Sequence, residues 1–130
     1  MILWTLRRSP FSKPGRGNGM RFTLKKDKSG VVIVGVEGQL IVGNRQELKQ
    51  KVLDALEEGS RKFVIDFSKT GYIDSSGLGV LVSLSKKIRE QGGELRLAGL
   101  NADLQTLFEL TKLDTLFAIT RTAEEALAAF

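Results

Sequence analysis

Between Lys62 and Ala98 the hydrophobic period of this chain changes from strand to helix and back to strand, and that alternation narrows the folds open to it. Lys62 to Phe67, apolar from Phe63 on apart from Asp66, reads as a central strand. Leu78, Leu81, Val82, Ser85 and Ile88 then recur at spacings of three and four, the stripe of a helix with one buried face. The helix is expected from Ser76 to Gln91, Gly92-Gly93 stops it, and Glu94 to Ala98 reads as a further strand. Between the first strand and the helix stands Tyr72-Ile73-Asp74-Ser75-Ser76-Gly77-Leu78-Gly79. A carboxylate and two hydroxyls therefore sit where a strand–loop unit hands over to a helix. Free backbone N–H groups and the positive end of the helix dipole meet at such a point. A phosphate carried by a serine there is stabilised by the helix it caps.

The flanking segments extend the same alternation. Arg21 to Lys26 places Phe22 and Leu24 on one face, Asp27-Lys28-Ser29-Gly30 is a turn, and Val31 to Glu37 is a β-branched buried strand, so the three form a hairpin. Asn44 with Glu47 has the spacing of a capping box, opening a helix that buries Leu48, Val52, Ala55 and Leu56 and ends at Gly59. Asn101 caps a short helix with Leu104, Leu107 and Phe108. Leu116 to Thr120 suits an edge strand, and Thr122 with Glu125 forms a second capping box before Ala126, Leu127 and Phe130. This order predicts an α/β domain with a mixed four- to five-stranded sheet covered by about four helices. Residues 1–19, with Pro10, Pro14, Gly15, Gly17 and Gly19, show no sustained periodicity and read as a flexible leader that is dispensable for folding. The domain is expected over residues 20–130, with Met20 opening the first strand.

Composition removes several classes of function. The chain has no Cys and no His, which excludes disulfides, thiolate zinc sites and Cys-His or Ser-His-Asp nucleophiles. A reducing cytoplasm fits the absence of Cys. The apolar runs are too short to span a bilayer, and Arg7 and Arg8 follow the first apolar run where a secretory signal would have them precede it. The leader holds four of the 20 basic residues and none of the 15 acidic ones, so the remainder is almost neutral and nothing in it suggests nucleic-acid binding.

Weaker signals surround the central motif. Gly77-x-Gly79 has Val82 where a dinucleotide fingerprint needs glycine, and both glycines read as permitting tight packing at the helix start. Ile73 occupies the place of the first glycine of a nucleophile elbow. Asp66 and Asp74 suggest a carboxylate pair, but one lies inside an apolar strand and the other at a loop–helix junction. No metal or cofactor is expected. Asp74 is expected to shape the loop and orient Ser75 by hydrogen bonding, with Ser76 better placed to cap the helix.

The order strand, Asp74-Ser75-Ser76-Gly77-Leu78-Gly79, helix, Gln91-Gly92-Gly93-Glu94-Leu95, strand resembles the STAS family, the anti-sigma-factor antagonists and their relatives, from Arg21 to Phe130. The resemblance implies a single STAS-like domain acting by protein binding and not by catalysis. In that family the serine directly after the aspartate is phosphorylated, which here is Ser75. The implied partners are an anti-sigma factor with a serine-kinase fold and a PP2C-type phosphatase that resets the switch. The implied contact surface comprises Asp74, Ser75, Ser76 and Gly77 with Gln39, Ile41 and Asn44. One departure stands out. Phosphorylated members commonly carry Gly-Glu-Leu-Asp or Gly-Glu-Ile-Asp after the second strand, whereas this chain has Gly38-Gln39-Leu40-Ile41. That departure keeps open a constitutive, unphosphorylated scaffold subunit of a signalling or lipid-transport assembly. A nucleotide-binding or phosphoryl-transfer domain is disfavoured, because no phosphate-cradling loop is present.

Overall fold

The alternation of periods is realised as five strands and four helices over residues 21–130, the part of the chain that the computed structural model describes. The leader and Met20 lie outside the described residues. Strands β1 (Arg21–Lys26) and β2 (Val32–Leu40) form an antiparallel hairpin, with Arg21 opposite Glu37 and Lys26 opposite Val32. Asp27 ties its turn: Oδ1 accepts from the N–H groups of Ser29 and Val31, each at 2.9 Å, and from the Ser29 hydroxyl. These bonds, that from Val31 foremost, hold the Asp27 carboxyl below the usual carboxylate range.

Strand β2 then pairs in parallel with β3 (Lys62–Ile73), β3 with β4 (Glu94–Ala98), and β4 with β5 (Ala118–Thr120), so the spatial order of the sheet is the chain order. The crossovers are α1 (Arg45–Glu57), α2 (Ser75–Glu90) and α3 (Ala102–Leu110), the last followed by a 3₁₀ turn at Leu113–Thr115. Right-handed crossovers between successive neighbours must all fall on one face. The main core shows that they do. Leu48 and Val52 of α1, Leu81, Leu84 and Ile88 of α2, and Leu104 and Phe108 of α3 pack on Val34, Phe63, Ile65 and Leu97 of the sheet. Helix α4 (Ala123–Ala128) returns over the opposite face, where Ala126 packs with Val31, Val64 and Ala98. Burial on both faces is the reason the first half of β3 is almost continuously apolar.

Several local expectations are corrected. β3 does not stop at Phe67 but runs to Ile73. Its polar stretch hides two irregularities: Gly35 pairs with Asp66 but Glu37 with Lys69, and Gly38 pairs with Thr70 but Gln39 with Tyr72. Each shift inserts one extra residue into β3, which bends it. The buried Thr70 hydroxyl secures the bend by donating to the Val36 carbonyl at 2.6 Å. At α1 the capping box is not formed, because the Asn44 side chain makes no cap bond. At α4 Thr122 does cap, accepting from the Glu125 N–H at 3.1 Å, while the Glu125 carboxylate accepts from the N–H of Arg121, one residue before the cap. Leu107 is only partly buried in α3. Val82 leaves the expected buried stripe of α2, and Leu84 takes a place in it.

Candidate functional site

The end of β2 and the start of α2 are brought to one rim by the last rungs of the β2–β3 ladder, Gln39 with Tyr72 and Leu40 with Ile73. The ladder continues one step further, since the Asp74 N–H donates to the Leu40 carbonyl at 3.1 Å. Helix α2 then begins close against β2. A Cβ on Gly77 would stand 2.6 Å from the Leu40 carbonyl oxygen and 2.9 Å from Ile73 Cγ2, so only glycine admits this approach. The same argument does not extend to Gly79, whose Cβ would meet nothing within 4 Å; the tight-packing reading is right for Gly77 and wrong for Gly79.

Asp74 is the cap of α2. Its Oδ1 accepts from the Gly77 N–H at 2.8 Å, and the helix starts at Ser75, a residue earlier than expected. The expectation that Ser76 caps is thereby corrected: an extended Asp74 places its carboxylate over the first turn, as a cap residue must. The second oxygen, Oδ2, accepts from the Val42 N–H at 3.1 Å. One carboxylate therefore clamps the β2–α1 loop to the start of α2. It bonds these two amides and not the Ser75 hydroxyl, so the expectation that Asp74 orients Ser75 by hydrogen bonding is corrected.

Ser75 is the first residue of the helix and is exposed, whereas Ser76 is half-buried. Asn44 is only 5% exposed. Its Oδ1 accepts from the Ile41 N–H and its Nδ2 donates to the Gln39 carbonyl, each at 2.8 Å. It shapes the loop from within, and that is why it is not free to cap α1. Gln39 and Ile41 are half-buried on either side of Leu40. These bonds link Gln39, Ile41, Asn44, Asp74 and Gly77 at one rim, with Ser75 and Ser76 lying between the last two in the first turn of α2.

Three apolar side chains escaped the sequence reading. Val42 is 62% exposed, Tyr72 56% and Val82 37%. Val42 follows Asp74 through its amide, Tyr72 precedes Asp74 by two residues, and Val82 lies two helical turns beyond Ser75 on the same side. A signal for Tyr72 was present, since strict alternation at Ile73 turns its predecessor outward. Chemically the rim offers a nucleophilic hydroxyl at a helix N-terminus, among exposed apolar and small residues. The N–H groups of the first turn favour an anion there. Elsewhere, Asp66 accepts from the Ser68 N–H at 3.0 Å, and among the described residues no three His, Cys, Asp or Glu side chains gather as metal ligands would.

Comparison with known proteins gives this architecture its class. The STAS domain family matches residues 23–126, so the chain belongs to the STAS domain family. Among curated relatives it is similar to the anti-sigma-B factor antagonist of Bacillus subtilis, 31% identical over 99 residues, covering 76% of this chain and 90% of that protein. The anti-sigma-B factor antagonist of Staphylococcus aureus is 30% identical over 102 residues, covering 78% and 93%. Among solved structures it resembles that of the protein TM1081, with a TM-score of 0.75 and 31% identity over 89% of this chain and 93% of that one. Among the described residues no helix is long and apolar enough to cross a membrane.

Proposed function

We propose that the chain is an anti-sigma-factor antagonist, a cytoplasmic protein-binding switch whose phosphate acceptor is Ser75. The observation that carries this reading is the exposed Ser75 hydroxyl at the first position of a 16-residue helix, in the position the family phosphorylates. The relatedness to anti-sigma-B factor antagonists supplies the class of partner. Unphosphorylated, the domain binds an anti-sigma factor of serine-kinase fold and so releases a sigma factor for transcription. The kinase transfers a phosphoryl group to the Ser75 oxygen, and a PP2C-type phosphatase removes it. The domain itself performs no catalysis.

The physics of the switch follows from the site. Phosphoserine adds about −1.5 to −2 charges at neutral pH. The helix N-terminus tolerates that charge within the domain. A partner seated on Val42, Tyr72 and Val82 does not, because closing the interface would strip water from a dianion. Incubation with a cognate anti-sigma factor and ATP, followed by phosphopeptide mapping, tests the reading. Phosphate on Ser75 is expected, and modification confined to Ser76 overturns the assignment. Stable binding without any phosphorylation favours the scaffold reading, to which the aliphatic Ile41 at the family's aspartate position lends support.

A further inference from the structure

Asp66 is the one charge between Phe63 and Phe67, and the switch at the rim does not use it. Its side chain is half-buried on the face of the sheet opposite the main core. The Ser68 N–H donates to Oδ1, and the Gly99 backbone packs against the same oxygen, where a Cβ would stand 2.8 Å from it. Asparagine would accept the Ser68 bond as well, so that bond does not account for a charge. Among the described residues Asp66 forms no ion pair. A depression lies beside it. The ladders set Thr23, Gly35 and Asp66 in one row across β1, β2 and β3. Gly35 has no side chain to fill the middle of that row, and the Thr23 hydroxyl leans over it: a Cβ on Gly35 would stand 2.6 Å from Thr23 Oγ1. Helix α4 packs with Ile33 and Val64 in the next row and leaves this one open. The result is a cleft of about 180 Å³ lined by Lys25, Lys69, Glu37 and Asp66. The two carboxylates are half-buried and the two lysines exposed, so the negative charge sits deeper. Glu37 and Lys69 approach only to 3.9 Å, a loose pair that a ligand can part.

We propose that this cleft binds a small neutral α-amino acid, its ammonium against Asp66 and Glu37 and its carboxylate against Lys25 and Lys69. Size and charge both select that class. The volume falls below the roughly 300–1,000 Å³ of pockets that enclose drug-sized ligands, and a nucleotide would not fit within it. The lining charges cancel, so a ligand of one sign would leave either the carboxylates or the lysines unmet, whereas a zwitterion meets both. The ammonium goes inward because the half-buried carboxylates are there, and the Thr23 hydroxyl beside them accepts from it. Ile33 in the lining gives a short aliphatic side chain its apolar contact. The cleft lies on the face of the sheet away from α1, α2 and α3, and the proposal stands whether or not Ser75 is a phosphate acceptor.

The test titrates the isotope-labelled full chain with glycine, alanine, serine, threonine and valine in turn, followed by backbone amide shifts. At least one is expected to bind with a Kd of about 1 mM or tighter, moving the amides of Thr23, Gly35, Glu37 and Asp66. Asp66→Asn, which keeps an acceptor for Ser68, is expected to weaken that binding by about tenfold or more. Gly35→Val, which fills the depression, is expected to abolish it. Should either variant fail to fold, analogues that keep one charge of the bound amino acid decide on the wild type: ethylamine and propionate, for alanine, are each expected to bind about tenfold weaker or worse. No shift with any of the five amino acids, or shifts away from the cleft, overturns the proposal. An amine that binds as tightly as its amino acid leaves only a cation site and overturns the assignment. Undiminished binding to folded Asp66→Asn and Gly35→Val puts the ligand elsewhere and overturns it too.

Discussion

Replacing Asp74 by Asn and by Ala should separate the two bonds its carboxylate makes. Asp74→Ala removes the cap to Gly77 and the link to Val42 together. Loss of an Asp cap costs about 0.5–2 kcal/mol. The Val42 bond lies at an exposed amide that water can reach, so its loss adds only about 0.5 kcal/mol, the low end for a hydrogen bond. The sum for Asp74→Ala is about 1–2.5 kcal/mol. Asn caps as well as Asp but has a single acceptor oxygen, so Asp74→Asn should keep Gly77 and lose Val42. It also loses a negative charge at the helix N-terminus, worth about 0.3–1 kcal/mol. Its cost should therefore be about 0.8–1.5 kcal/mol. Urea unfolding at unchanged slope gives the totals, and amide hydrogen exchange assigns them. Exchange at Val42 should quicken in both variants, and at Gly77 only in Asp74→Ala. Unaltered exchange at Val42 in Asp74→Ala, or exchange at Gly77 that quickens as much in Asp74→Asn as in Asp74→Ala, would refute the clamp.

Three further outcomes are expected. Gly77→Ala should destabilise by about 1–3 kcal/mol in spite of better helix propensity, because its Cβ meets backbone at Leu40; chemical denaturation measures it. Asn44→Ala should cost about 2–3 kcal/mol in the same assay, since it strands the half-buried Ile41 N–H and the Gln39 carbonyl. The lowered pKa of Asp27 fixes the sign of a pH effect: its contribution is complete above the unfolded value of about 3.9 and is lost as pH falls through the lower folded value. Unfolding curves of wild type and Asp27→Asn should therefore differ at neutral pH and converge in acid.

The order of elements was legible because each long apolar segment keeps a clean period. The alternation of Phe63, Ile65 and Phe67 against Val64, and the spacing of Leu48, Val52 and Leu56, leave no competing assignment. The extension of β3 was not legible. Ser68-Lys69-Thr70-Gly71 has the composition of a loop, and only pairing with β2, with its two inserted residues, makes it a strand. Asn44 misled for a related reason. A cap residue is recognised by its position, but here the long-range demand of the Gln39 and Ile41 backbone groups outcompetes the local one. At the site, Asp74 and Ser75 announced themselves by residue type. Val42 and Val82 did not, since an exposed apolar residue differs from a buried one only in what the fold sets above it, and for Tyr72 the alternation at Ile73 was the one signal.

The measurement that bears most directly on the switch is the affinity of one preparation for its anti-sigma factor before and after Ser75 is phosphorylated. Tight binding before is expected, weakening by about tenfold or more after, with recovery when the phosphate is removed enzymatically. Ser75→Asp should behave like the phosphorylated form and Ser75→Ala like the unmodified one. Equal affinity of the phosphorylated and unphosphorylated domain would contradict the account, leaving a STAS domain that binds without switching.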